Sequence, residues 1–384
     1  MHTIANEIKA GFIQRYGTEP RMYFSPGRIN IIGEHVDYND GFVMPAAIDK
    51  GLYYAVALND SDRINMYSTD YDEEIDLATD EIAKSEGWKN YVLSVLNEFV
   101  KLGITIKGFN CVFGGDIPQG SGMSSSAAVE GGLAMGMNDL FNAGLDRIGL
   151  ARLCQRAEHG YPGVQCGIMD QFANMMGLED QVILLDCMDL SYEYFPLDIE
   201  GYAIVLLNSK VHHSLASSEY NTRRKQCMQG LEQISAGGAL KSFRDLTVAE
   251  VKSWKDKIEE QIYKRCLYVV EEIFRTKNAS VALAKKDLER LGALMFETHD
   301  GLSKLYEVSC KELDLLVNIA RNDNSVLGAR LMGGGFGGCT INIVEENSVN
   351  DFVEKASVMY KDQFDIELES YLVKTSKGTH ILSL

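Results

Sequence analysis

The segment GGDIPQGSGMSSSAAVE sets Gly120 and Gly122 ahead of Ser124, Ser125 and Ser126, and Leu133, Ala134, Met137, Leu140 and Phe141 then recur at helical spacing. A strand ending near Gly114 thus runs through a glycine loop into a helix. Glycines let the backbone approach an anion closely, and the free N–H groups and positive dipole end of the helix favour a phosphate there. The three serine hydroxyls can cap the helix or ligate Mg²⁺. A Gly/Ser cluster before a helix is often only a capped turn. Here, however, Gly131 and Gly132 sit early in the helix at roughly 1 kcal/mol each relative to Ala, which points to a specific close approach. The loop is not a Walker A motif, because no Gly-Lys-Ser/Thr closes it.

A second cluster, SPGRINIIGEHVDYNDG, packs Arg28, Asn30, Glu34, His35, Asp37, Tyr38, Asn39 and Asp40 around Gly27, Gly33 and Gly41. Ile29, Ile31 and Ile32 would anchor it, and its carboxylates suit a polyhydroxylated ligand, since each accepts two or more hydroxyl hydrogen bonds. Taken singly, His35 is more often a satisfied core or surface histidine, and Asp37 or Asp40 a turn residue. In a third segment, LARLCQRAEHGYPGVQCGIMDQFANMMG, one helical face stops near Gly160 and Pro162 and another helix begins after Gly167, so Glu158 and Asp170 flank one bend. Such an acid pair can divide labour between a metal and a proton, although two acids at an arbitrary bend are ordinarily solvated caps. Gly333, Gly335 and Gly338 match G-x-G-x-x-G, but CTINIV follows with strand alternation, whereas a dinucleotide fingerprint must open a helix.

The elements that must position these residues form two unlike halves. All six prolines fall at or before Pro196, and long helical patterns dominate afterwards, in SSEYNTRRKQCMQGLEQI, KRCLYVVEEIFR and LDLLVNIAR. Strand alternation marks the first half, with Tyr53, Ala55 and Ala57 in one run and Phe109, Cys111 and Phe113 in another. ARLMGGGFGGCTINIV reads as two strand edges around a glycine loop. With 384 residues, 46% hydrophobic and 24% charged, the chain can fold as two domains. We place them at residues 1–200 and 201–384.

The net charge of -18 disfavours nucleic acid and acidic lipid as partners. No run of eighteen apolar residues and no signal-like N-terminus occurs, and the eight scattered cysteines form no C-x-x-C pair, which predicts reduced thiols in a cytoplasmic protein. No obligate protein partner is evident.

Together these segments resemble the galactokinases of the GHMP kinase family over nearly the whole chain. GRINIIGEHVDYNDG is similar to the galactokinase signature, GSGMSSSAA to the family's ATP-binding motif and LMGGGFGGCT to its C-terminal glycine motif, with CGIMDQF and SSEYNTRR as further blocks in the expected order. The resemblance implies an α+β, bilobal GHMP-kinase-like fold of two mixed α/β domains with the active site in the cleft between them. It implies phosphorylation of galactose at its C1 hydroxyl by ATP, with Mg²⁺. Carried over, Gly120, Ser121, Gly122, Met123, Ser124, Ser125 and Ser126 cradle the ATP phosphates, and Ser126 and Glu158 hold the metal. Glu34, His35, Asp37, Gly167, Asp170 and Tyr220 line the galactose site. Asp170 takes the C1 hydroxyl proton, and Arg28 keeps Asp170 ionised and offsets transition-state charge. Met332 stands where many relatives have Thr and Met123 where Leu is usual, and both fit beside glycines.

Two other functions share these motifs. A kinase for N-acetylgalactosamine, galacturonate or arabinose would differ in pocket volume around C2 and C6. A non-catalytic galactokinase-like sensor would lack the Ser-Ala pair of the serine loop, and here Ser126-Ala127 is intact.

Overall fold

The computed structural model describes residues 2–211, 216–235 and 240–383. Its largest sheet has six strands in the order β13 (His380–Leu382), β1 (Arg21–Asn30), β3 (Pro45–Leu58), β6 (Phe109–Gly115), β4 (Arg63–Ser68) and β5 (Glu73–Ala78). Every pairing is antiparallel except β4 with β6. Period-two alternation divides its side chains between two covered faces. Met22, Phe24, Tyr53, Ala55 and Val112 meet α1 (His2–Tyr16), whose Ala5, Ile8 and Phe12 recur at helical spacing and are buried. Tyr23, Tyr54, Val56, Cys111 and Phe113 enter the main core on the other face.

On that second face lie α3 (Ser125–Leu140) and α5 (Met169–Met176), and α2 (Lys89–Lys101) and α4 (Arg147–Gly160) pack on α3 in turn. Val92, Val95, Leu96 and Phe99 give α2 one buried stripe; a fully buried side chain of this kind contributes about 1.5–3 kcal/mol. A three-stranded antiparallel sheet follows, in the order β2 (Phe42–Val43), β7 (Gln181–Asp186) and β8 (Tyr192–Pro196).

The later sheet has the order β10 (Val326–Leu331), β11 (Cys339–Glu345), β9 (Tyr202–Asn208) and β12 (Glu369–Val373), all antiparallel. Its helices are α6 (Ala216–Ile234), α7 (Val248–Lys252), α8 (Glu260–Ala284), α9 (Leu288–Gly301), α10 (Lys311–Arg321) and α11 (Val349–Phe364). Val205 and Leu207 pack with α10 and α11, while Ile204 and Leu206 face the main core. That core runs without a break from Tyr23 through Ile343 and Val373, so apolar packing joins the two halves. The expected strand–glycine loop–strand is present as β10 and β11, and a strand, not a helix, follows Gly338.

Candidate active site

The serine loop lies between β6 and α3. Gly120 and Gly122 have φ of 67° and 77°, and Ser124, φ 58°, is left-handed without being glycine. Such a conformation costs about 1–3 kcal/mol in a residue other than glycine and clusters at functional sites. The C-terminal glycine turn braces this loop from behind: Cys339 N donates to Ser121 O at 3.1 Å, and a Cβ on Gly122 would lie 2.9 Å from the Met332 carbonyl. Met332 and Met123 are both fully buried at this junction. On the other side Arg28 N donates to Met123 O at 3.0 Å, so backbone bonds join all three glycine-rich segments.

In front of the loop a cavity of about 490 Å³ is lined by Gly120, Ser125 and Ser126 together with Tyr71, Trp88 and Tyr91. The Tyr71 and Trp88 rings stack with centroids 5.7 Å apart and planes 10° apart. A planar heterocycle joined to a polyphosphate matches this combination of aromatic wall and amide-lined loop. These aromatics lie outside the glycine-rich and polar segments, and their one signal in the sequence is one of only two tryptophans, in EGWKNY.

Asp170, in the first turn of α5, is gripped by Arg28 through Nε to Oδ1 at 2.7 Å and Nη2 to Oδ2 at 2.8 Å, and Ser124 Oγ donates to the same carboxylate. Arg28 also donates to the Gly122 carbonyl, which ties the pair to the serine loop. Arg28, Glu34, His35, Asp37, Gly167, Asp170 and Tyr220 line one small cavity of about 40 Å³. Gly167 is required by close approach, since a Cβ there would lie 2.0 Å from Asp37 Oδ2.

Burial shapes the chemistry of the lining. It lowers the His35 imidazole to about 4, so the ring is neutral; Nδ1 meets Tyr38 OH at 2.8 Å, and Nε2 is buried without a bond of good geometry, the ring lying beside the Gly334 backbone. Burial, then Asp170 and Glu34, push Asp37 up to about 7. Glu34 is held by a residue outside the polar segments of the sequence: Arg330 Nη1 donates to its Oε2 at 2.5 Å and Nε to Ile31 O at 2.8 Å. The signal was an arginine inside the apolar strand run GARLM.

Glu158 lies outside the small cavity, at the end of α4 beside the Ser126 hydroxyl, and accepts from Gln171 Nε2 at 2.6 Å. Burial, then Asp170, raise its carboxyl to about 7. Among the described residues no group of three or more His, Cys, Asp or Glu forms a closed metal cage. One carboxylate and one hydroxyl beside a phosphate loop suit Mg²⁺, which usually keeps waters and shares its remaining ligands with substrate phosphates.

Residues 10–58 match the galactokinase galactose-binding signature, 90–178 the GHMP kinases N terminal domain and 279–362 the GHMP kinases C terminal region. The chain is 40% identical to the galactokinase of Clostridium acetobutylicum over 93% of each chain, and 39% identical to that of Clostridium perfringens over 97% of this chain and 98% of the relative. The chain belongs to the galactokinase family of GHMP kinases. A solved structure agrees: the Lactococcus lactis galactokinase complexed with galactose superposes with a TM-score of 0.96 at 35% identity, covering 99% of this chain and 100% of that one. The Methanococcus jannaschii mevalonate kinase, at 19% identity and a TM-score of 0.65, shares the fold. Within the galactokinase signature span lie Arg28, Glu34, His35 and Asp37, and within the N-terminal GHMP span lie the serine loop, Glu158, Gly167 and Asp170.

Proposed function

We infer that the chain transfers the γ-phosphoryl group of ATP to the C1 hydroxyl of galactose, giving galactose 1-phosphate and ADP. The observation that carries this reading is a single cavity in which Glu34, His35 and Asp37, from the galactose-binding signature, join an Arg28–Asp170 pair tied to the serine loop. Sugar hydroxyls donate to Asp37 and to His35 Nε2, and Tyr220 closes the wall. As the C1 oxygen attacks the γ-phosphorus, its proton passes to Asp170, and the bond to the ADP oxygen breaks with its electron pair leaving on ADP. Arg28 orients both Asp170 oxygens and offsets charge that grows in transfer, where positioning and electrostatics do most of the work. The amides of Gly120 to Ser126 cradle the phosphates, and the cavity with Tyr71 and Trp88 takes the base. Ser126 and Glu158 would hold Mg²⁺, which neutralises charge on the phosphate oxygens when bound.

We also take residues 1–200 and 201–384 as the two lobes, with β13 returning from the second to the sheet of the first. No helix among the described residues is long and apolar enough to cross a membrane, and all eight cysteines are free thiols; the thiols support a reducing, cytoplasmic setting.

The test is ADP release across galactose, N-acetylgalactosamine, galacturonate and arabinose, with the phosphorylated position read by ³¹P-coupled NMR. Galactose should turn over fastest and carry phosphate on the C1 oxygen. Faster turnover of either C2- or C6-modified sugar would remove the assignment.

A further inference from the structure

Glu130 lies on α3 one turn beyond Ser126, so the two side chains leave the same face of the helix. It is 0% exposed, and neither carboxyl oxygen makes a hydrogen bond of good geometry, its one polar neighbour being the Gln171 side chain. Among the described residues the charges acting on it are Glu158 and Asp170, and burial and these like charges together hold its proton well above the usual carboxylate range. Against it sits Gln171 of α5, 1% exposed, whose Nε2 donates to Glu158 while its Oε1 has no partner. The orphaned atoms of this pair are thus three acceptors and no donor. A single proton on Glu130 supplies the missing donor and removes the buried, unpaired charge that would otherwise be costly.

We propose that Glu130 is a positioning residue of the metal site: as a neutral acid it donates to Gln171 Oε1, which fixes the amide so that Nε2 donates to Glu158 and aims that carboxylate at the cation shared with Ser126. The chain of contacts crosses three helices, α3, α5 and α4, and meets the serine loop only through Ser126. It rests on the reading of Glu158 and Ser126 as the residues that hold Mg²⁺. Partners behind a ligand typically change metal affinity 10- to 100-fold when removed, because they fix the ligand's orientation. An apolar residue would pack at this position without an orphaned carboxyl, so the acid is kept at some expense to stability.

The experiment measures the affinity of a non-hydrolysable ATP analogue by calorimetry, with saturating Mg²⁺ and with chelator, and takes the ratio as the coupling between metal and nucleotide. Glu130→Leu should lower that ratio by about 10-fold or more, leave galactose affinity within about twofold, well inside that range, and leave Tm unchanged or higher. Glu130→Gln, which keeps a neutral donor, should restore most of the ratio. Gln171→Leu should reproduce the loss, and Glu130→Leu combined with it should add little, since both break one chain. A wild-type ratio in Glu130→Leu, or a Glu130→Gln variant as weak as Glu130→Leu, overturns the proposal while Glu158→Ala still lowers the ratio. If Glu158→Ala leaves the ratio unchanged, the metal-site reading falls and this proposal with it.

Discussion

Asp170 meets two descriptions that demand different things of its side chain. As a cap or sugar contact it needs shape and one acceptor, which Asn also provides. As a base it needs charge. Its oxygens are taken by Arg28 and Ser124 and not by the first amides of its own helix, so the structure supports the second description. Asp170→Asn should therefore lower the single-turnover rate by about 10²- to 10⁴-fold, or roughly 3–5 kcal/mol, at saturating galactose and MgATP, with nucleotide affinity retained. A rate within about threefold of wild type would mean that positioning alone drives transfer. Asp37 gives a second residue-level expectation. Burial raises its folded value to about 7 from the ordinary 3.8, so between those values the folded chain holds the proton more tightly than the unfolded one. Its contribution to stability is full below the unfolded value and is lost as pH rises through about 7. Asp37→Asn removes that loss, so its unfolding free energy relative to wild type should climb between pH 5 and pH 8 in urea titrations. A pH-independent difference would contradict the assignment. Arg28, Glu34, His35 and Asp37 were legible as polar residues crowded into one short glycine-shaped run, whereas Gly167 and Tyr220 came only with the family resemblance; Arg330 was not legible, because its partner Glu34 lies far away in the chain and strand alternation carries no sign of a buried ion pair.

Helix α3 shows what an element's sequence reveals and withholds. The glycine pair at 131 and 132 was readable as a packing signal, since two glycines weaken a helix without some return. The partners were not readable. A Cβ on Gly132 would lie 2.2 Å from the Tyr54 ring, which is fixed by its hydroxyl on Val129 O at 2.8 Å and by stacking on Phe113 at 5.0 Å. One on Gly131 would lie 2.0 Å from Asn174 Oδ1. At Gly136 the nearest atom would be 3.6 Å away, an ordinary contact. Equal substitutions should then have opposite signs. Gly136→Ala gains about 0.5–1 kcal/mol of helix propensity, whereas in Gly132→Ala overpacking of about 1–3 kcal/mol outweighs the same gain. Urea midpoints of the two variants decide this, and a stabilised Gly132→Ala would show that the Tyr54 ring yields. The strands were legible by alternation, but β6 has both faces covered, so Val112 is as buried as Cys111 and alternation alone named only one face.

At the scale of the molecule, the least legible feature is the return of the chain to its beginning. β13 has three residues, too few to show a period, and its register with Met22, Tyr23 and Phe24 is a long-range pairing that no local pattern encodes. The strand brings Thr379, fully buried, to Asn174, where Thr379 Oγ1 donates to Asn174 Oδ1 at 2.7 Å. Asn174 Nδ2 in turn donates to Ser25 Oγ at 3.0 Å and to Pro26 O at 2.7 Å. Asn174 lies one turn after Asp170 on α5, and Pro26 lies just before Arg28 on β1, so this contact fixes the spacing of the two elements that carry the proposed catalytic pair. Thr379→Val keeps the shape and deletes the donor, leaving Asn174 Oδ1 buried without its partner, at a cost of about 1–3 kcal/mol. The rate should fall with the stability, because a bidentate Arg28–Asp170 contact depends on where β1 and α5 lie. Galactose and nucleotide affinities should change less than kcat, since the serine loop keeps its own bond from Cys339 and the galactose-binding turn its bonds from Arg330. Unfolding curves and single-turnover rates on this variant and on a chain ending at Lys377 test the argument. The truncated chain should be the weaker in both, and a Thr379→Val protein with normal stability and a normal rate would mean that the last strand covers the sheet edge without positioning the site.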